Sequence, residues 1–99
     1  MSDSVDQLEA LRNQIDVEDR KILESLSKRF KLCEQIGKHK KKNNMSLHQS
    51  NRWESLLENR LKHAKELGLD PEFTKVFFDM IHDLSKDIQS KTSSEVADE

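Results

Sequence analysis

From Val5 to Lys42 the sequence carries one unbroken helical period, and this limits the possible folds more than any other feature. Leu8, Leu11, Ile15, Ile22, Leu26, Phe30, Cys33 and Ile36 recur at steps of three, four and seven. That is the spacing of one helix face, not the alternation of a strand. Nothing interrupts the pattern before Gly37. At about 1.5 Å per residue such a helix would reach roughly 50 Å. The rest of a 99-residue chain cannot cover it. The helix needs partners towards both ends, and a second copy of the chain is the simplest supplier. Composition points the same way: 36% of residues are charged and 33% belong to the AVILMFWYC set, so the core of a single chain is thin. Small domains bury a low fraction of their surface, and oligomerisation is a common remedy.

Two further helices are predicted. Lys42-Asn43-Asn44 is polar and turn-prone. The next helix starts at Gln49 or Ser50, with Ser50 as a cap, and ends at Leu67; Trp53, Leu56, Leu57, Leu61, Ala64 and Leu67 form its apolar face. Gly68 reads as its stop, because glycine adopts the left-handed conformation that follows a helix. Asp70-Pro71 reads as the next start, an N-cap followed by proline at the first helical position. The third helix runs to about Lys91 with Phe73, Val76, Phe77, Met80, Ile81, Leu84 and Ile88 inward. The fold class is all-α: three helices per chain, the first of them long, in one domain over residues 1–91. The remaining residues, 92–99, form a flexible acidic tail.

Several function classes are disfavoured. A formal net charge of -2 suits neither a nucleic-acid binder nor a membrane-surface protein. The single cysteine, Cys33, excludes an internal disulfide, and its apolar helical setting reads as a small buried hydrophobe. No apolar run is long enough to span a membrane. The polar, acidic start lacks the features of a signal peptide, so the cytoplasm is the expected location. His39, His48, His63 and His82 show no metal-ligand spacing, and no phosphate loop or nucleophile motif is present.

The polar residues on the helices narrow the field. Arg29 and Lys40 are eleven apart and so lie within about 20° on one helix face, whereas Arg12 is roughly 100° away from Arg29. One concave site can use Arg29 with Lys40, which leaves Arg12 for another site, such as one on a partner chain. Gln49 with Trp53, and Ser85 with Gln89, are same-face pairs four apart. Each also has a plain reading. Arginines and lysines on helices are usually solvated, and the run Lys38 to Lys42 suits a helix C-terminus as well as an anion patch. From spacing alone the result is a helical dimer that can carry an anion site.

These same residues match a family. The chain resembles the all-helical (AroQ-type) chorismate mutases over about residues 5 to 91. The match comprises Leu8, Leu11-Arg12, Ile15-Asp16, Asp19 and Leu23; then Arg29, Leu32, Ile36-Gly37 and Lys40; then Arg52; then Gly68-Leu69-Asp70-Pro71 with Phe77 and Ile81; and last Ser85 with Gln89. The resemblance implies an intertwined homodimer with the long first helices exchanged. The activity it implies is the Claisen rearrangement of chorismate to prephenate, in the shikimate pathway towards phenylalanine and tyrosine, with no cofactor and no metal. It implies that Arg29 binds a substrate carboxylate within its own chain and that Arg12 reaches a carboxylate in the partner's site. Lys40 and Gln89 would donate to the ether oxygen, Ser85 would contact the ring carboxylate and Arg52 would complete the cationic lining.

Two positions depart from the family pattern. Gln49 and Trp53 stand where acidic residues are expected to contact the ring hydroxyl. Gln49 can still hydrogen-bond that hydroxyl, with Trp53 closing the pocket, since an indole has no acceptor. Two rival readings remain: an isochorismate pyruvate lyase on the same fold, and a non-catalytic helical interaction or regulatory module. Association with another shikimate-pathway enzyme is left open.

Overall fold

The computed structural model describes residues 2–45 and 50–97. They form helices α1 (Ser2–Lys42), α2 (Ser50–Glu66) and α3 (Pro71–Ala97), with no strand among the described residues. The all-α expectation is met. Gln49, the first of the two positions that break the family pattern, lies outside the described residues.

Local chemistry sets the helix ends. Helix α1 closes on Asn44, which takes the left-handed conformation with φ 55°. The Met45 N–H donates to the Lys40 carbonyl at 2.8 Å and the Asn44 N–H to the Lys41 carbonyl at 3.3 Å, the paired bonds of a Schellman turn. The Asn43 side-chain amide adds a bond to the His39 carbonyl at 2.8 Å. Helix α2 ends by the same device on Gly68, φ 78°, with the Leu69 N–H on the Ala64 carbonyl at 2.8 Å. Asp70 caps α3 as its sequence suggests: the Phe73 N–H donates to its carboxylate at 2.9 Å, and Pro71 follows as the first helical residue.

The chain divides into two compact units, Met1–Leu32 and Cys33–Glu99. In the first unit no described residue is buried. Leu8, Leu11, Ile15 and Ile22 are each about half exposed or more, Ile15 by 59%. The apolar stripe found in the sequence is therefore real but uncovered within one chain.

In the second unit α2 packs on α3. The buried apolar residues are Cys33, Ala64 and Ile81, joined by the polar Thr74, Ser85 and Thr92. Each of the three hydroxyls donates to the carbonyl four residues back, Thr74 to Asp70 at 2.8 Å, Ser85 to Ile81 at 2.6 Å and Thr92 to Ile88 at 2.8 Å. Small side chains that satisfy their own polar atoms permit close helix contact without an unpaired buried group.

This corrects the inward face assigned to α3. Phe73, Val76, Met80 and Leu84 point out of the chain, with Met80 67% exposed, while Ile81 is buried and Phe77 and Ile88 are half-buried. The buried line through Thr74, Ile81, Ser85 and Thr92 lies about 110° round the helix from the exposed apolar stripe. Helix α3 thus carries a buried line and, separate from it, an exposed apolar face. The stretch from Thr92, expected as a flexible tail, continues α3 as far as Ala97. Thr92 can prolong a packed helix because its hydroxyl is satisfied internally and its Cβ lies against Gly37.

Candidate active site

Gly37 sets the approach of α1 to α3. A Cβ built at this position would stand 2.8 Å from the Gln89 carbonyl oxygen, 3.1 Å from the Gln89 Cα and 3.2 Å from the Thr92 Cβ. Only glycine allows the two backbones to come this close. One helical turn after Gly37 comes Lys40, whose carbonyl is held by the Schellman turn. Its side chain is half-buried and reaches α3, where Nζ donates to Oε1 of Gln89 at 3.2 Å.

This contact joins residues 49 positions apart in the chain. It also orients the amide. An ammonium group can only donate, so the amide atom that faces it is the oxygen. The NH2 of Gln89 is then the donor the amide has to offer. The pair therefore presents a cation and a neutral donor at one place, the combination that stabilises an oxygen on which negative charge develops.

Ser85 lies one turn before Gln89 and is buried, with its own proton directed to the Ile81 carbonyl at 2.6 Å. Trp53 is half-buried on α2 and stacks face to face on His82 of α3, with ring centroids 3.8 Å apart and planes 12° from parallel. Arg52 is exposed at the start of α2. Arg12 and Arg29 belong to the first unit. Arg12 is exposed and pairs with Glu9 at 3.0 Å, a surface pair of small energetic weight, and Arg29 is half-buried. Thus Lys40 and Gln89 meet directly, Trp53 meets His82, and Ser85 lies between His82 and Gln89 along α3.

His82, which the sequence expectations do not place among the site residues, stacks on one of them, Trp53. In the sequence it lies three before Ser85 and seven before Gln89, both same-face intervals. Among the described residues no group of three or more His, Cys, Asp or Glu side chains is placed to hold a metal ion. No helix of the described residues is long and apolar enough to cross a membrane.

A three-helix chain whose α1 and α3 bring a lysine and a glutamine together in this way belongs to a recognisable class. The chain is a member of the type II chorismate mutase family, whose model matches residues 11–90, a stretch that includes every candidate site residue from Arg12 to Gln89. It is 30% identical over 78 residues to a 4-amino-4-deoxychorismate mutase of Streptomyces pristinaespiralis, covering 79% of this chain and 60% of that protein. It is 37% identical over 68 residues to a T-protein of Enterobacter agglomerans, covering 69% of this chain and 18% of that protein.

Proposed function

We propose that the protein is a chorismate mutase that converts chorismate to prephenate by an intramolecular Claisen rearrangement. The observation that carries this reading is the half-buried Lys40–Gln89 pair, 3.2 Å apart, in a member of the type II family. The reaction needs no covalent intermediate and no proton transfer. It needs the enolpyruvyl chain held over the ring, and donors aimed at the ether oxygen as its bond to the ring breaks. Lys40 and the Gln89 NH2 supply those donors. They bind the transition state more strongly than the substrate, because the charge is largest there. Arg29 and Arg52 hold the two carboxylates, since forked guanidinium groups suit carboxylates by charge and shape; Ser85, whose proton is directed to the Ile81 carbonyl, would have to turn it to reach the ring carboxylate.

The working form in this proposal is a cytoplasmic homodimer. The uncovered stripe of Leu8, Leu11, Ile15 and Ile22 and the second apolar face of α3 are surfaces that a second copy would bury. Arg12 then acts in the partner's site. Mixing Arg12→Ala chains with Arg29→Ala chains tests this, because one site of each mixed dimer carries both lesions and the other carries neither. Prephenate formation should return to a substantial fraction of wild type in the mixture; two inactive variants that stay inactive when mixed would refute the shared site.

A second reading has specific support in the Streptomyces relative: the same rearrangement of 4-amino-4-deoxychorismate, in which an amine replaces the ring hydroxyl. Measuring kcat/KM for both substrates separates the two readings, and chorismate is expected to be preferred.

A further inference from the structure

The family match ends at residue 90, yet α3 continues to Ala97. Thr92 is the first buried residue past that end, at 5% exposure. Its hydroxyl donates to the Ile88 carbonyl at 2.8 Å, so no polar atom of the side chain is left unpaired where the helices meet. What Thr92 meets is Gly37. A Cβ built on Gly37 would stand 3.2 Å from the Thr92 Cβ, closer than ordinary carbon–carbon contact. The Thr92 Cβ therefore lies in the notch that the missing side chain of Gly37 leaves in α1.

This contact stands beside the Lys40–Gln89 pair. Thr92 is three residues after Gln89, and Gly37 is three before Lys40, about 4.5 Å along each helix axis. Lys40 and Gln89 have long side chains with several rotatable bonds. They keep their 3.2 Å contact only if the two backbones are held at a set separation. The Gln89 backbone and Thr92 both lie against Gly37, which gives α3 two points of contact there. Removing one leaves a single point about which the helices can shift. If α3 stopped at Lys91, Gln89 would also fall in its last turn, where carbonyls lack helical partners and ends fray. We infer that Thr92 is a positioning residue: seated on Gly37, it holds the last turns of α3 against α1 and so sets the separation of the Lys40–Gln89 pair. This deepens the mutase reading and rests on it.

The test takes the seat away. A larger side chain is not a clean probe, because Thr92 also borders a cavity lined by Glu34, Lys38, Ile88 and Lys91 into which it can turn. Thr92→Gly deletes the Cβ that meets Gly37. Ser90→Gly, at an exposed position one turn or less away, carries a similar helix-propensity cost without that contact. Thr92→Val keeps the branched shape, and the Ile88 carbonyl keeps the N–H of residue 92 as its helical partner. Thermal melting, kcat and KM for prephenate formation are measured on each full-length chain. Thr92→Gly should lower kcat roughly tenfold, the effect of a shift of about half an ångström at the reacting atoms, with KM changed by less than about threefold. Ser90→Gly and Thr92→Val should stay within about threefold of wild type. In a Gln89→Ala background Thr92→Gly should cost less than about twofold more, because the contact it positions is already gone. Four outcomes would overturn the assignment: unchanged kcat in Thr92→Gly, an equal loss in Ser90→Gly, an undiminished loss in the Gln89→Ala background, or failure of Thr92→Gly to fold where Ser90→Gly folds. Lys40→Met is the control for the underlying reading and should lower kcat/KM by about a hundredfold or more. If it does not, the mutase mechanism itself fails, whatever Thr92 does.

Discussion

Replacing Gly37 with alanine adds one methyl group where the backbone of α1 closely approaches that of α3. That methyl would sit 2.8 Å from the Gln89 carbonyl oxygen, about 0.6 Å inside the shortest ordinary contact of roughly 3.4 Å. The obstacle is backbone on a regular helix, so it cannot turn aside as a side-chain tip would. The Gln89 Cα at 3.1 Å and the Thr92 Cβ at 3.2 Å block small sideways adjustments. The two helices must part by about half an ångström or more. The Lys40–Gln89 contact, now 3.2 Å, would then lengthen to about 3.8 Å and cease to be a hydrogen bond. Overpacking of this kind costs roughly 1–3 kcal/mol, and the helix propensity gained from glycine to alanine returns at most about 1 kcal/mol. The net loss of stability is thus about 0–2 kcal/mol, small enough for the protein to remain folded. Activity should suffer more, because a displacement approaching 1 Å at the reacting atoms can cost about a hundredfold. Thermal unfolding by circular dichroism and kcat/KM for prephenate formation, measured on the same preparation, give both numbers. A Gly37→Ala protein with a raised melting temperature and wild-type kcat/KM would refute the claim that backbone contact at Gly37 sets the Lys40–Gln89 pair.

Three other perturbations have defined outcomes. Gln89→Glu places a carboxylate beside Lys40, and that group must be protonated before it can donate to the ether oxygen. Its rate should therefore rise as pH falls from 8 to 5, whereas wild type should show no steep rise below pH 6, as read from initial rates across that range. Gly68→Ala meets no atom within 4 Å but must keep φ near 78°, so it should lose about 1 kcal/mol in urea unfolding through backbone strain alone, with activity unchanged. Met80→Lys puts a charge on the exposed apolar face of α3. If that face is covered by a second copy, sedimentation should show dissociation at concentrations where wild type is dimeric.

The helices and their ends were largely legible in the sequence because they depend on neighbours. The recurrence of Leu8, Leu11 and Ile15, the stop at Gly68 and the start at Asp70-Pro71 are all decided within one or two turns of chain. The partner of each face was not legible. Periodicity identified an apolar stripe on α3 but could not show that Thr74, Ser85 and Thr92 form the packed line while Phe73 and Met80 are left outside. Hydrophobicity measures the gain from covering a residue, whereas the width of a side chain decides how closely two helices can lie. The Lys40–Gln89 pair was reached through the family resemblance, since no local rule connects residues 49 apart. The stack of His82 on Trp53 was not legible because the two sit on different helices. For the ring hydroxyl the sequence offered Gln49, which lies outside the described residues, with Trp53 closing the pocket.

The stack of Trp53 on His82 also gives the protein an internal optical probe. The chain holds one tryptophan and no tyrosine, so its near-ultraviolet emission arises almost wholly from that indole. An imidazole pressed against the excited ring is an electron and proton acceptor whose strength changes with its charge. Emission therefore reports the seam between α2 and α3 without any added label. A ligand that repositions His82 changes the yield at once, and separation of the two helices changes both the yield and the wavelength.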